Sequence, residues 1–230
     1  MWGILEAGRR RPQPDSGTGT PLPPARVLLI MTMTGTTLGE QLLLLSLDDT
    51  TGQSRLPLQT SFAIGAAALL ERALAEDTAL PDDAGQWIHR HRTEEYETAL
   101  QGLLAKGLIR KEEHRVLLFF RTTRYPEADG TEESSVRSRL TDVVLNGATP
   151  DHRTAALITL LHHNGLQSLA FPDAESDKTA RRTTDQRMQE IAEHHWADPA
   201  LRSMSETAAA TVAALMAATV AATVVVTAIT

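Results

Sequence analysis

Cysteine is missing from all 230 residues. That excludes disulfides, thiolate zinc sites and cysteine nucleophiles, and an intracellular, cytoplasmic setting is the plainer reading. Aromatic residues are scarce, at 4%, while Leu, Ala and Thr are abundant, so helices packed through aliphatic side chains are expected rather than a β-sandwich. Positive charge is in deficit: the formal net charge is -7. Bulk electrostatics therefore argue against a general nucleic-acid binder, and any attraction to an anionic membrane has to come from a local basic patch. The chain also lacks a phosphate loop, a complete G-x-G-x-x-G, a G-x-S-x-G elbow and an H-E-x-x-H pair. Its histidines come as His89-x-His91, His162-His163 and His194-His195. Neighbours on a helix point in different directions, so these read as surface or helix-end residues rather than metal ligands. Asp and Glu read as spread over solvent faces. No catalytic residue, metal or cofactor is assigned, and the chain is expected not to be an enzyme.

What is present reads as one helical domain over residues 36–230 behind a leader, 1–35. The leader carries Arg9-Arg10-Arg11 followed by a Pro-, Gly- and Ser-containing stretch. Its apolar run Val27-Leu28-Leu29-Ile30-Met31 is shorter than the core of a signal peptide. It is read as disordered, with Met31 or Met33 as an alternative start. Thr37-Leu38-Gly39-Glu40 has the capping-box pattern, and Leu42–Leu45 with Leu47 makes the helix it opens apolar on nearly every face, hence buried. Asp48–Gly52 reads as a turn and Arg55–Leu58 as an extended piece. A second helix spans about 61–75, with Gly65-Ala66-Ala67-Ala68 permitting close helix approach. Pro81–Gly85 reads as a break. A third helix over 94–106 ends at Gly107. Leu108-Ile109, a polar turn Lys111–His114 and the apolar run Val116–Phe120 read as a β-hairpin, and 128–135 as a polar loop. Helices follow at about 135–146, 151–163 and 175–196, and a last one from Pro199 onward. The fold class is all-α with one small β-hairpin.

The order and spacing of these segments resemble the Golgi phosphoprotein family of peripheral membrane proteins, in a bacterial-looking form. The residues that carry the resemblance are Thr37–Asp49, Gly65–Leu74, Gln86-Trp87-Ile88, Leu103–Ile109, Val116–Pro126 and Pro150–Ile158. The resemblance implies a compact helical fold, no chemistry, and, in eukaryotic members, recognition of phosphatidylinositol 4-phosphate. That family pocket uses a Trp in the extended piece, an Arg at the second helix and two basic residues three apart before the Lys-Gly segment. Guanidinium groups suit such a ligand because they fork onto phosphate oxygens. Alignment puts Leu56, Gly65, Thr93 and Tyr96 at these positions, so the head-group residues are replaced. Arg55, Arg90 and Arg92 are the nearby candidates to substitute for them. Weak binding of anionic, phosphoinositide-like lipid is the resulting expectation, peripheral to the inner face of a membrane.

The hairpin is the second candidate site. Arg115, Val116, Leu117, Leu118, Phe119, Phe120 and Arg121 combine an apolar stretch with a basic collar that also includes Arg110, Lys111 and Arg124. Such a stretch can insert into an anionic leaflet, pack into the protein core, or join a protein partner or second copy. The unit Leu100–Phe120, a helix ending in Lys-Gly and followed by a hairpin, also fits a winged-helix nucleic-acid-binding or protein-interaction module. Thr207–Thr230 contains no charged residue. It is long enough to span a bilayer but is built mainly of Ala and Thr with some Val, which leaves both a buried terminal helix and a membrane anchor open.

Overall fold

The computed structural model describes residues 35–48, 51–76, 78–116, 120–199, 201–202 and 206, with the side chains of 114–116 and 120–122 excepted. The expectations for residues 1–34, for Leu117–Phe119 and for Thr207–Thr230 therefore lie outside the described residues. Among the described residues the architecture is helical with a single two-stranded antiparallel sheet. The elements are α1 (Leu38–Ser46), α2 (Pro57–Glu76), α3 (Ala84–Ala105), β1 (Glu112–Val116), β2 (Phe120–Arg124), α4 (Thr131–Val144), α5 (His152–His163), α6 (Gln167–Ala170), a 3-10 turn (Pro172–Ser176) and α7 (Lys178–Glu193).

Helix α1 is the central element. All nine of its residues are buried, and it packs against α2, α3, α4, α5 and α6. Its leucines each contribute roughly 2 kcal/mol of burial. A central helix must also satisfy its own N-terminal N–H groups without water, and three neighbouring helices supply the means. Thr37 Oγ1 accepts from Glu40 N, and Glu40 Oε2 accepts from Thr37 N at 2.6 Å, closing the capping box. Leu38 N donates to Glu71 Oε1 of α2 at 2.8 Å. Arg153 of α5 donates to both Thr36 O (2.5 Å) and Glu71 (3.2 Å). Lys106, the residue capping α3, reaches Glu40 Oε2 at 2.5 Å. Two carboxylates at a helix N-terminus are favoured by its dipole, and the two cations offset their burial.

Several boundaries differ from the expectations. Pro57 opens α2 instead of lying within an extended piece, because a proline at the first helical position lacks only an N–H that would be unpaired anyway. Helix α3 starts at Ala84 and runs through Gly85, since Ala84 and Ile88 are buried against the core and outweigh the turn-like composition. Helix α4 begins at Thr131, inside the supposed polar loop, after Gly130 in the left-handed region (φ 70). Helix α7 is shorter than expected and follows a 3-10 turn. The hairpin is shifted as well: the supposed turn around Glu112 and His114 is strand β1, and of the apolar run Val116 ends β1 and Phe120 opens β2. Glu112 pairs with Arg124 and Val116 with Phe120, and the ladder is continued by an Ile109–Glu127 bridge. Glu112 opposite Arg124 is a favourable cross-strand charge pair, which an apolar-run reading cannot see. The carboxylates are not all on solvent faces either. Glu40, Glu133 and Asp198 are buried, each beside a basic partner. Of the paired histidines, His195 is buried and His163 is partly buried with its side chain against Asp198.

Candidate anionic-ligand site

Helices α2 and α3 meet at Gly65. A Cβ there would lie 3.0 Å from Ile88 Cγ2 and 3.4 Å from Arg92 Cα, so the absence of a side chain is what lets the helices come this close. The crossing brings Ser61 and Phe62 of α2 beside Arg92 of α3. Arg92 Nη1 donates to Ser61 Oγ at 3.0 Å, and Ser61 Oγ donates onward to Leu58 O at 2.7 Å. The Arg92 guanidinium stands 4.8 Å from the Phe62 ring centre, within cation–π range. Its Nε is buried and has no acceptor, and no described carboxylate forms an ion pair with it. None of the described residues neutralises this half-buried cation by an ion pair, and an anion arriving here would gain charge-assisted hydrogen bonds in partly desolvated surroundings.

The other two candidate arginines are not brought to it. Arg90 leaves α3 on another side, is exposed, and sits 3.5 Å from Asp83. Two residues along a helix is more than half a turn, so Arg90 and Arg92 cannot fork onto one small group. Arg55 is exposed and donates to Leu45 O at 3.2 Å. It lines a cavity of about 610 Å³ together with Asp48, Glu133, Arg137 and Asp173. Arg137 is already bound to Glu133 and to the carbonyls of Leu169 and Ala170. Three carboxylates against two guanidinium groups make that cavity unsuited to an anion.

Of the replaced pocket positions, Leu56 packs against the core, Gly65 is the helix crossing and Thr93 is exposed. Tyr96 is half-buried and hydrogen-bonded to Ser54; burial pushes its phenol above the ordinary value, helped by the nearby Tyr125 and Glu97. In the hairpin, the register sets Arg115 opposite Arg121. Leu117, Leu118 and Phe119, which join the strands, are among the residues not described. Among the described residues no group of His, Asp and Glu could hold a metal ion, and no helix is long and apolar enough to cross a membrane.

Residues 69–208, more than half of the chain, match the family described as Golgi phosphoprotein 3 (GPP34). The chain belongs to this family. No curated protein matches it. Thr93, Tyr96 and the hairpin fall within the Golgi phosphoprotein match, whereas Leu56 and Gly65 precede it. Sequence reading singled out Arg92 but not the partners that define its setting. Ser61 and Phe62 lie 31 and 30 positions away, and only the Gly65 crossing brings them to it.

Proposed function

We propose that this Golgi phosphoprotein family member is a peripheral membrane or adaptor protein without chemistry of its own, which binds anionic lipid head groups weakly. The observation that carries this reading is Arg92: a half-buried guanidinium with an acceptor-free Nε, resting on Phe62 and bonded to Ser61. It lies next to Thr93, one of the positions where the family resemblance places a basic head-group residue. One such cation supports a single phosphate contact rather than the multidentate grip that several arginines give. The affinity is therefore low and falls with added salt. The hairpin, whose strands pair Arg115 with Arg121, contributes basic residues next to the apolar sequence Leu117-Leu118-Phe119.

The test is co-sedimentation of the full chain with neutral vesicles, vesicles of generic anionic lipid, and vesicles carrying phosphatidylinositol 4-phosphate. The expected result is salt-sensitive binding to both anionic sets, weakened by Arg92→Met, retained in part by Arg92→Lys, and weakened by Leu118→Asp with Phe119→Asp. Absence of binding to every vesicle would refute the lipid reading and leave a fold used for protein contacts. Salt-sensitive retention on duplex DNA without vesicle binding would favour the winged-helix reading instead.

A further inference from the structure

Large apolar side chains are rarely exposed in this fold. Among the described residues Leu74, Leu145 and Trp196 stand out, at 43%, 53% and 48% exposure. Two of the three meet in one place. Leu74 of α2 and Trp196, just beyond α7, line a groove of about 630 Å³ together with Ala73, Leu80, Ala197 and Pro199. Among the described residues that line this groove none is charged. An occupant that buries it must itself be free of charge there, because a charged group taken out of water without a partner is costly.

On the far side of Trp196 the surface changes character. A second cavity is lined by Asp151, His152, Arg187 and Glu190, among others. Continuity of the chain suggests the occupant. The chain leaves α7, lines the groove at Trp196, Ala197 and Pro199, and is anchored once more by buried Leu201. Thr207 follows six residues later in the sequence. From Thr207 to Thr230 the sequence carries no charged side chain and includes Val212, Leu215, Met216, Val220 and Val224.

We propose that the groove between Leu74 and Trp196 is a docking site for the chain's own C-terminal segment, Thr207–Thr230. The segment is matched to the groove in polarity and tethered at its edge, so docking requires little loss of translational freedom. Covering Leu74 and Trp196 removes from water two of the three exposed large apolar side chains among the described residues.

The absence of native cysteine makes a direct test available in the full chain. Leu74→Cys is combined, one at a time, with Val212→Cys, Leu215→Cys or Val220→Cys, and the purified protein is oxidised. A disulfide forms only where the two Cα atoms come within about 7 Å. An intramolecular disulfide is expected for at least one pair and for none when Leu145→Cys replaces Leu74→Cys. Disulfide-linked dimers in place of the intramolecular product would overturn the proposal in favour of a second copy. A measurement that needs no cysteine is hydroxyl-radical labelling of Trp196, read by mass spectrometry. Trp196 is expected to be protected in the unmodified full chain and to become reactive in a Leu215→Asp variant. Equal labelling in both proteins, or protection that appears only when vesicles are added, would sink the proposal.

Discussion

Gly102→Ala should destabilise the protein, against the usual direction of that exchange. Inside a helix, replacing Gly by Ala ordinarily stabilises by about 1 kcal/mol. Gly102 is interior to α3, but a Cβ there would collide with Oε1 of Glu40. Glu40 is 4% exposed and cannot move aside within the core, so its carboxylate must leave its place. It then gives up the Thr37 N–H (2.6 Å) and Lys106 Nζ (2.5 Å). The first is a hydrogen bond to a charged group, worth about 1.5–3 kcal/mol. The second is discounted to roughly 0–1 kcal/mol because the Lys106 side chain is 37% exposed. Setting the helix gain of about 1 kcal/mol against these terms leaves a net loss of about 0.5–3 kcal/mol. For a domain of this size that is a fall in Tm of about 1–12 °C. The assay is thermal and urea unfolding followed by far-ultraviolet circular dichroism, with Glu40→Ala and the double variant completing a cycle. Once Glu40 is gone the methyl has nothing to displace, so the double variant should be less destabilised than the sum of the two, by at least about 1 kcal/mol. A Tm raised by Gly102→Ala, or strict additivity in the cycle, would refute the reasoning.

Three further outcomes are expected. Gly65→Arg, which installs the basic residue the family resemblance places there, should not create tight phosphoinositide binding; the 3.0 Å contact with Ile88 makes it destabilising by about 1–3 kcal/mol, readable by vesicle sedimentation together with unfolding. Burial raises the pKa of Glu71 above its ordinary 4.5 despite the opposing Leu38 N–H and Arg153. The folded state thus holds that proton more tightly than the unfolded chain, and stability contributed at Glu71 falls as pH rises from about 4.5 through the raised value; Glu71→Gln should flatten that part of a Tm–pH profile. The opposite sign applies to His162 and His195, both lowered from 6.5 by burial. His162 is further lowered by His163 and Arg202 against the pull of Asp185 and Asp198, and His195 by His152 against that of Asp198. Their contribution is present above about pH 6.5 and is lost as pH falls through the lowered values, so His162→Asn should reduce the slope of stability with pH in that window.

How legible the site was depends on the distance over which each part is decided. The hairpin's basic residues are visible as text because they are local. Arg92 is visible as an arginine, but its role is not. That its guanidinium rests on Phe62 and bonds Ser61 is a property of a helix crossing, and nothing within a few residues of Arg92 encodes it. The same holds for Arg90 and Arg55. Nearness to the aligned pocket positions grouped all three arginines, yet helical geometry turns Arg90 away and the position after α1 commits Arg55 to a cavity rich in carboxylates.

The sequence by itself determined the features that rest on local energetics. Thr37 and Glu40 form their capping box because the side chains and the N–H groups they satisfy lie within one turn. Gly107, Gly147 and Gly165 take the left-handed conformation just beyond helices that end there, and the all-round apolar pattern of Leu42–Leu45 puts α1 at the centre. Only the tertiary structure decided the rest. The start of α3 was moved back to Ala84 by the burial of Ala84 and Ile88, and the hairpin register was set with Glu112 opposite Arg124. Glu71 and Arg153 were recruited from two other helices to finish the N-terminus of α1. Local hydrogen bonding and backbone preference act within a turn or two of chain, whereas these features depend on which apolar surfaces meet, and that is settled by contacts between residues tens of positions apart.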